Sequence, residues 1–272
     1  AMKSGVKPIL GCEVYTVAGA DADAHTKRGA SERDYNHLLL LAETYEGWQN
    51  LQRIVTDGYL RGFYYKPRVS HDVLKRHSRG IIATSACLRG EVAQAILRDQ
   101  IDLAEQNLRG LRDIFGERNL FVELQSNGVP EQQKANAGLV ALAKALSLPL
   151  VGTGDVHYLR PEDKKAQDVL VCINTGKLLS DSNRMRYDQA DLYFRSREEM
   201  ADAFANWGLP AEALANTAEI ARRCNVDLKT QQFGRMHMPT YSAPALQTVA
   251  EFFRAECDRG IERRYGSPPQ TN

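Results

Sequence analysis

The sequence predicts an α/β fold, and three observations predict it. Apolar runs of strand length alternate with longer amphipathic stretches, most of those runs are continuously apolar, and after Pro161 the pattern turns almost wholly helical. Repeated strand and helix implies helices layered on a sheet. Continuously apolar strands are what a parallel sheet covered on both faces requires. The length agrees, since 272 residues correspond to about two domains at ~150 residues each, or to one large barrel with an appendage.

The elements follow in order. Pro8 to Val17 reads as the first strand. Residues 18 to 34 (AGADADAHTKRGASERD) are small, polar and charged, which predicts a surface loop with His25 solvated. Asn36 to Ala42 is a second strand and Gly47 to Arg61 a helix. The segment GYLRGFYYKPR, residues 58 to 68, reads as a helix end followed by a Pro-fixed turn with its aromatics packed inward. The alternative there is a nucleic-acid surface, because aromatics stack on bases and cations meet phosphates.

Strands at Gly80 to Ser85, Asn119 to Leu124 and Pro149 to Asp155 are short and rich in Ile, Leu and Val. Between them lie helices at Glu91 to Arg98, Ile101 to Phe115 and Glu131 to Leu146. Ile101, Ala104, Leu108 and Leu111 recur at three and four, which is one helical stripe. Helices are then expected at Glu162 to Asn174, Arg197 to Trp207, Ala211 to Cys224 and Leu246 to Arg264. ARRCN (221 to 225) and IERRYG (261 to 266) read as solvated helix ends, where cations complement the dipole. Residues 225 to 244 carry no clear period and read as a linker.

Composition narrows the function. Lys+Arg 35 against Asp+Glu 34 gives a formal charge of +1, so net charge does not draw the chain to a polyanion. Five cysteines without C-x-x-C spacing argue against a disulfide framework and a self-contained zinc finger, and fit a reducing, cytoplasmic setting. No apolar run approaches the ~20 residues that span a bilayer, so no membrane partner is expected. No G-x-x-x-x-G-K-[ST] loop, G-x-G-x-x-G turn or G-x-S-x-G elbow occurs, which argues against a kinase or a serine hydrolase.

Metal-competent groups gather at strand ends instead. Asp155 and His157 in GTGDVHY stand two apart and would project together from a strand; the alternative is a turn-capping Asp with its His partner. Cys87 follows IIATSA, Glu13 follows PILGC and His37 opens HLLLLA. Singly, each has a plain structural role as a small core residue, an outward strand residue or a core histidine. Together they suggest a metal site, because the end of an apolar strand is a costly place for a carboxylate without a cation. Mixed nitrogen, sulfur and oxygen donors favour zinc, manganese or iron. Such ions activate water against phosphate esters.

KPILGCEVY, NHLLLLAETYEGWQNL, GFYYKPR, IIATSACLRGEV, LVGTGDVHYL, CINTGK and EALANTAEIARRCNV together resemble the PHP domain of bacterial replicative DNA polymerase III alpha subunits. The resemblance implies a distorted (β/α) barrel of the PHP type, truncated at its N-terminus and followed by a helical segment. It implies a PHP domain over 1 to 226, a linker over 227 to 244, and the start of a polymerase core over 245 to 272. It places metal ligands on Glu13, His37, Cys87, Asp155 and His157, within a trinuclear site whose H-x-H segment and further Asp and His precede the G-C-E motif and are expected to be missing here.

It further implies a metal-dependent phosphoesterase or 3′ to 5′ exonuclease and a structural platform, in a parent nucleotidyltransferase that acts in DNA replication with DNA, deoxynucleotides, magnesium and other replicase subunits. The polymerase's own catalytic aspartates are not expected in this segment. A free-standing PHP phosphatase for a small phosphate ester and a non-catalytic scaffold are the alternatives.

Overall fold

The computed structural model describes residues 1–17, 35–187, 190–233, 238–244 and 246–266. The expected surface loop at 18 to 34, with His25, lies outside them. The chain divides into two compact units, Ala1–Asp227 and Leu228–Asn272.

The first unit is a mixed α/β body. Its strands are β1 (Gly11–Val17), β2 (Asn36–Ala42), β3 (Phe63–Tyr64), β4 (Lys66–Ser70), β5 (Ile81–Thr84), β6 (Leu120–Gln125) and β7 (Leu150–Thr153), in one sheet of order β3-β4-β1-β2-β5-β6-β7. That sheet is open, with β3 and β7 at its two ends. Its helices are α1 (Tyr45–Leu60), α2 (His71–Arg76), α3 (Glu91–Leu97), α4 (Ile101–Phe115), α5 (Pro130–Ala145), α6 (Lys164–Thr175), α7 (Arg197–Asn206) and α8 (Glu212–Arg223). The second unit contains α9 (Val249–Tyr265), which starts in a capping box between Thr248 and Glu251.

The sheet departs from the all-parallel expectation. β5, β6 and β7 run parallel, as do β1 and β4, but β1 pairs β2, β2 pairs β5 and β3 pairs β4 antiparallel. Burial explains the difference. β5 and β6 are buried throughout, whereas β1 and β2 alternate, with Val14, Thr16, Leu38, Leu40 and Ala42 buried and their neighbours half-exposed. One face of the β1–β2 pair is therefore core, and the other is left for a cavity.

Two cores sandwich the sheet. Leu38, Leu40, Ile54, Ile81, Val92, Leu108, Leu120 and Leu139 belong to the main one, where α3, α4 and α5 pack together. Each such side chain contributes about 1.5–3 kcal/mol on burial. Ile82, Phe121 and Val151 face the other way and are covered by Ile220 and Cys224 of α8 and the residue after it. α8 approaches β7 closely. A Cβ at Gly152 would stand 2.6 Å from the Phe204 ring of α7 and 2.7 Å from Leu214 of α8, so a side chain there would force both to shift.

Two segments differ from their sequence reading. Residues 63 to 70 form the β3–β4 hairpin where a Pro-fixed turn was expected, and Phe63 and Tyr65 are exposed where inward packing was expected. Pro67 is tolerated because it pairs only with Phe63, while the ladder to β1 begins at Arg68. Tyr65, at the hairpin tip, has φ 58. A left-handed backbone costs roughly 1–2 kcal/mol at a residue bearing a Cβ.

Arg223 is the second difference. It is not a solvated helix end: its side chain is 9% exposed, pairs with Glu43 at 2.9 Å, and donates to the Arg118 carbonyl at 2.8 Å and to the Asn119 side chain. Arg222 beside it is exposed and pairs with Glu219.

Candidate metal centre

The β1–β2 register pairs Tyr15 with His37 and Glu13 with Leu39, so Glu13, Tyr15 and His37 share one face. The Glu13 carboxylate reaches across to stand 2.9 Å from His37 Nδ1. Cys87 arrives from the turn after β5. Gly90 closes that turn, its N–H donating to the Cys87 carbonyl at 2.8 Å, and a Cβ there would stand 2.1 Å from the Ser85 oxygen. The His37 N–H donates to the Arg89 carbonyl at 2.9 Å, which fastens the turn across the start of β2. Cys87 Sγ then lies 3.6 Å from His37 Nδ1. Donor atoms of Glu13, His37 and Cys87 all fall within 4.8 Å of one another.

Asp155 and His157 are presented differently from the strand alternation expected. β7 ends at Thr153, and Asp155 has φ 47, so both residues belong to the irregular segment beyond the strand. His157 Nδ1 lies 2.7 Å from the Asp155 carbonyl oxygen and 4.0 Å from its carboxylate. The His157 N–H donates to the Leu192 carbonyl at 2.8 Å. Ala86, next to Cys87, is also left-handed, at φ 59. Backbone strain of this kind collects where function needs a fixed side-chain direction. All five residues named from the sequence line one cavity of about 590 Å³, a volume usual for small-ligand sites.

Sequence reasoning missed the rest of the wall, which includes Arg89, Gln125, Asn127, Met185, Arg186 and Tyr187. Met185 to Tyr187 come from an aperiodic stretch that offers no pattern to read. They are braced by Arg184, whose guanidinium forms a two-pronged pair with Asp168 of α6 at 2.5 and 2.7 Å. That guanidinium holds the Asp168 carboxyl below its ordinary range.

Glu123 was missed too, although a lone Glu inside the apolar run LFVEL was a visible signal. Its buried carboxylate accepts from Thr84 of β5, from Gln125 of β6 at 2.9 Å and from Thr153 at 2.5 Å. Burial raises its pKa, and these three donors oppose the rise.

The donor set fits a metal ion. At the usual zinc–nitrogen and zinc–sulfur bond lengths, a tetrahedral angle separates the two donors by about 3.6 Å, and nitrogen from oxygen by about 3.4 Å. The observed sulfur–nitrogen separation, 3.6 Å, matches, whereas the oxygen–nitrogen separation of 2.9 Å is that of a direct hydrogen-bonded pair, which would have to part by about half an ångström to hold an ion between them. Burial pushes the Cys87 thiol up to about 12, with Asp155, Glu13 and Glu123 adding to the rise and the Arg89 backbone opposing it. Burial likewise raises Asp155, with His157 opposing. Anionic forms of these groups need a compensating cation, which a bound metal supplies.

The PHP domain family matches residues 1–127. The chain is 40% identical over 267 residues to the DNA polymerase III subunit alpha of Thermus aquaticus, covering 97% of this chain and 22% of that protein. It is 39% identical to that of Deinococcus radiodurans, covering 97% and 20%, and 38% identical to that of Treponema pallidum, covering 96% and 22%. The chain thus spans about a fifth of the length of the curated relatives it matches. With its mixed α/β fold, its PHP-domain match over residues 1–127 and this likeness along nearly its whole length, the chain is similar to the PHP-bearing fifth of bacterial DNA polymerase III alpha subunits.

Proposed function

We propose that this chain is a metal-dependent phosphoesterase module, acting as a 3′ to 5′ exonuclease, within a cytoplasmic replicative DNA polymerase. In this reading the polymerising activity, with its DNA, deoxynucleotides, magnesium and partner subunits, resides in the full-length protein. The observation that carries the proposal is the meeting of Glu13, His37 and Cys87 within 4.8 Å at the wall of a cavity. Imidazole, thiol and carboxylate together suit zinc, manganese or iron better than magnesium or calcium.

A bound divalent ion supplies positive charge for phosphate oxygens and lowers the pKa of water. The chain's own residues do the remaining work. Glu13, His37 and Cys87 would hold the ion, and Asp155 and His157, on the same wall, would extend the ligand set or serve as proton acceptors. Arg89 and Arg186 line the cavity as cations for a phosphodiester. Tyr187, its ring 5.6 Å from that of His157, limits the imidazole's orientations.

The test is metal content and release of 3′ nucleotides from an oligodeoxynucleotide by the wild-type chain, Cys87→Ser, Glu13→Gln and Asp155→Asn. Loss of both metal and cleavage in the variants is expected. Cleavage that survives in all three, or resists chelation, overturns the assignment.

A further inference from the structure

The β3–β4 hairpin has no part in the metal centre as proposed, yet it is joined to it by an unbroken series of ring and cation contacts. The Tyr35 ring stacks on that of His37 with centroids 6.0 Å apart and planes 4° from parallel. Arg89, on the cavity wall, lies 5.2 Å from the centre of the Tyr35 ring, and Arg68 lies 5.7 Å from the same ring. Arg68 also stands 5.1 Å from the Tyr64 ring, which meets Tyr65 edge-on at 4.7 Å. A second branch runs from His37 to Tyr15, at 5.3 Å, and on to Lys66, 5.8 Å over the Tyr15 ring.

At its far end the series opens to solvent. Phe63 and Tyr65 are 56% and 57% exposed, and Tyr59, stacked on Phe63 at 6.2 Å, is 59% exposed. Lys66 and Arg89 are exposed cations along the way. Exposed aromatics interleaved with cations match the recognition of single-stranded nucleic acid, in which base faces stack on rings and phosphates meet Lys and Arg. The strained tip points to the same use, since Tyr65 holds a left-handed backbone that glycine would adopt without cost, and keeps its ring exposed.

We infer that the hairpin is a docking platform for single-stranded nucleic acid. Bases stack on Phe63 and Tyr65, Lys66 and Arg89 meet the phosphates, and the strand's end is led toward the cavity. The inference rests on the phosphoester reading of that cavity for its direction, but its binding step does not need the metal.

The experiment measures binding of a short fluorescent oligodeoxythymidylate to the intact chain in the presence of chelator, so that failure of the metal assignment leaves the result readable. Tyr65→Gly is the informative variant, because it removes the ring while relieving the left-handed backbone, which offsets the lost contact with Tyr64. Phe63→Ala accompanies it. Each is expected to weaken binding at least about fivefold, the low end for one stacked base, with metal content unchanged. Lys66→Ala is expected to reduce the slope of log affinity against log salt by ~0.7, one single-strand phosphate contact.

An abasic oligomer of equal length and charge separates stacking from simple charge. It should bind the wild type more weakly than the oligodeoxythymidylate and be indifferent to Tyr65→Gly. Equal binding of the two oligomers, unchanged affinity in Tyr65→Gly and Phe63→Ala, or no binding by the wild type, as expected if the patch serves a protein partner, overturns the proposal.

Discussion

The carboxylate of Glu13 lies 2.9 Å from His37 Nδ1, although the strand register places Leu39, not His37, opposite Glu13. Two donors from one antiparallel pair therefore converge diagonally, and Cys87 completes them from a turn roughly fifty residues further along. Exchanging cobalt(II) into the site should produce a thiolate-to-metal charge-transfer band in the near ultraviolet. Cys87→Ser should abolish the band, whereas Cys12→Ser should leave it. An unchanged spectrum in Cys87→Ser removes that residue from the ligand set.

Glu123 gives a prediction about stability. Its buried carboxylate accepts from Thr84, Gln125 and Thr153, side chains of three adjacent strands. Replacement by Leu removes the acceptor of the Thr84 and Thr153 hydroxyls and leaves Gln125 only its longer bond to Thr153, at roughly 1–3 kcal/mol for each buried group left unsatisfied, so Glu123→Leu should lose several kcal/mol. Glu123→Gln keeps one oxygen and hydroxyls that can rotate to accept, and should lose about 1 kcal/mol or less. Urea denaturation of the two variants separates them. Similar losses in both would show that the charge matters, not the hydrogen bonds.

How far these features could be read in advance differs by element. β5, β6 and the helices α3 to α5 were legible because continuous apolar runs and three-four spacing survive as burial. β3, β4 and α2 were not, because Pro67 and the flanking cations mimic a turn and a six-residue helix is too short to show a period. The site divides similarly. Glu13, His37 and Cys87 could be found as polar residues at the ends of apolar strands. Asp155 was found for a reason that proved incorrect, since the positive φ that takes it off the strand leaves no mark at a non-glycine residue. Met185 to Tyr187 reach the cavity through tertiary contacts, the bracing by Arg184 among them.

That bracing is testable. Arg184→Ala should free the Met185 to Tyr187 wall without removing any donor from the metal centre. The expected outcome is unchanged metal content with KM for an oligonucleotide raised several-fold and kcat little altered. Loss of metal alongside activity would mean that Arg184 supports the ligands themselves.

A pH dependence follows from a pair outside the cavity. His71 Nε2 stands 3.2 Å from a Glu91 carboxylate oxygen, and the pairing with that carboxylate raises the imidazole's pKa above its ordinary 6.5, against the opposing effect of burial. A raised folded-state value means that the protonated pair stabilises the fold fully below about pH 6.5 and that this contribution is lost as pH rises through the folded value. His71→Ala should therefore cost more stability at pH 6 than at pH 8. Equal losses at the two pH values would contradict the linkage.

The anchoring of α8 by Arg223 bears on where this polypeptide can be cut. The helix carries Ile220 over Ile82, Phe121 and Val151, and its terminal guanidinium ties it to Glu43 and to the residues just before β6. An expression clone stopping short of residue 224 would strip a lid of apolar side chains from three buried strands, leaving a sticky surface that favours inclusion bodies. Proteases acting on the native chain should accordingly spare α8 and nick after it, near the boundary at Asp227.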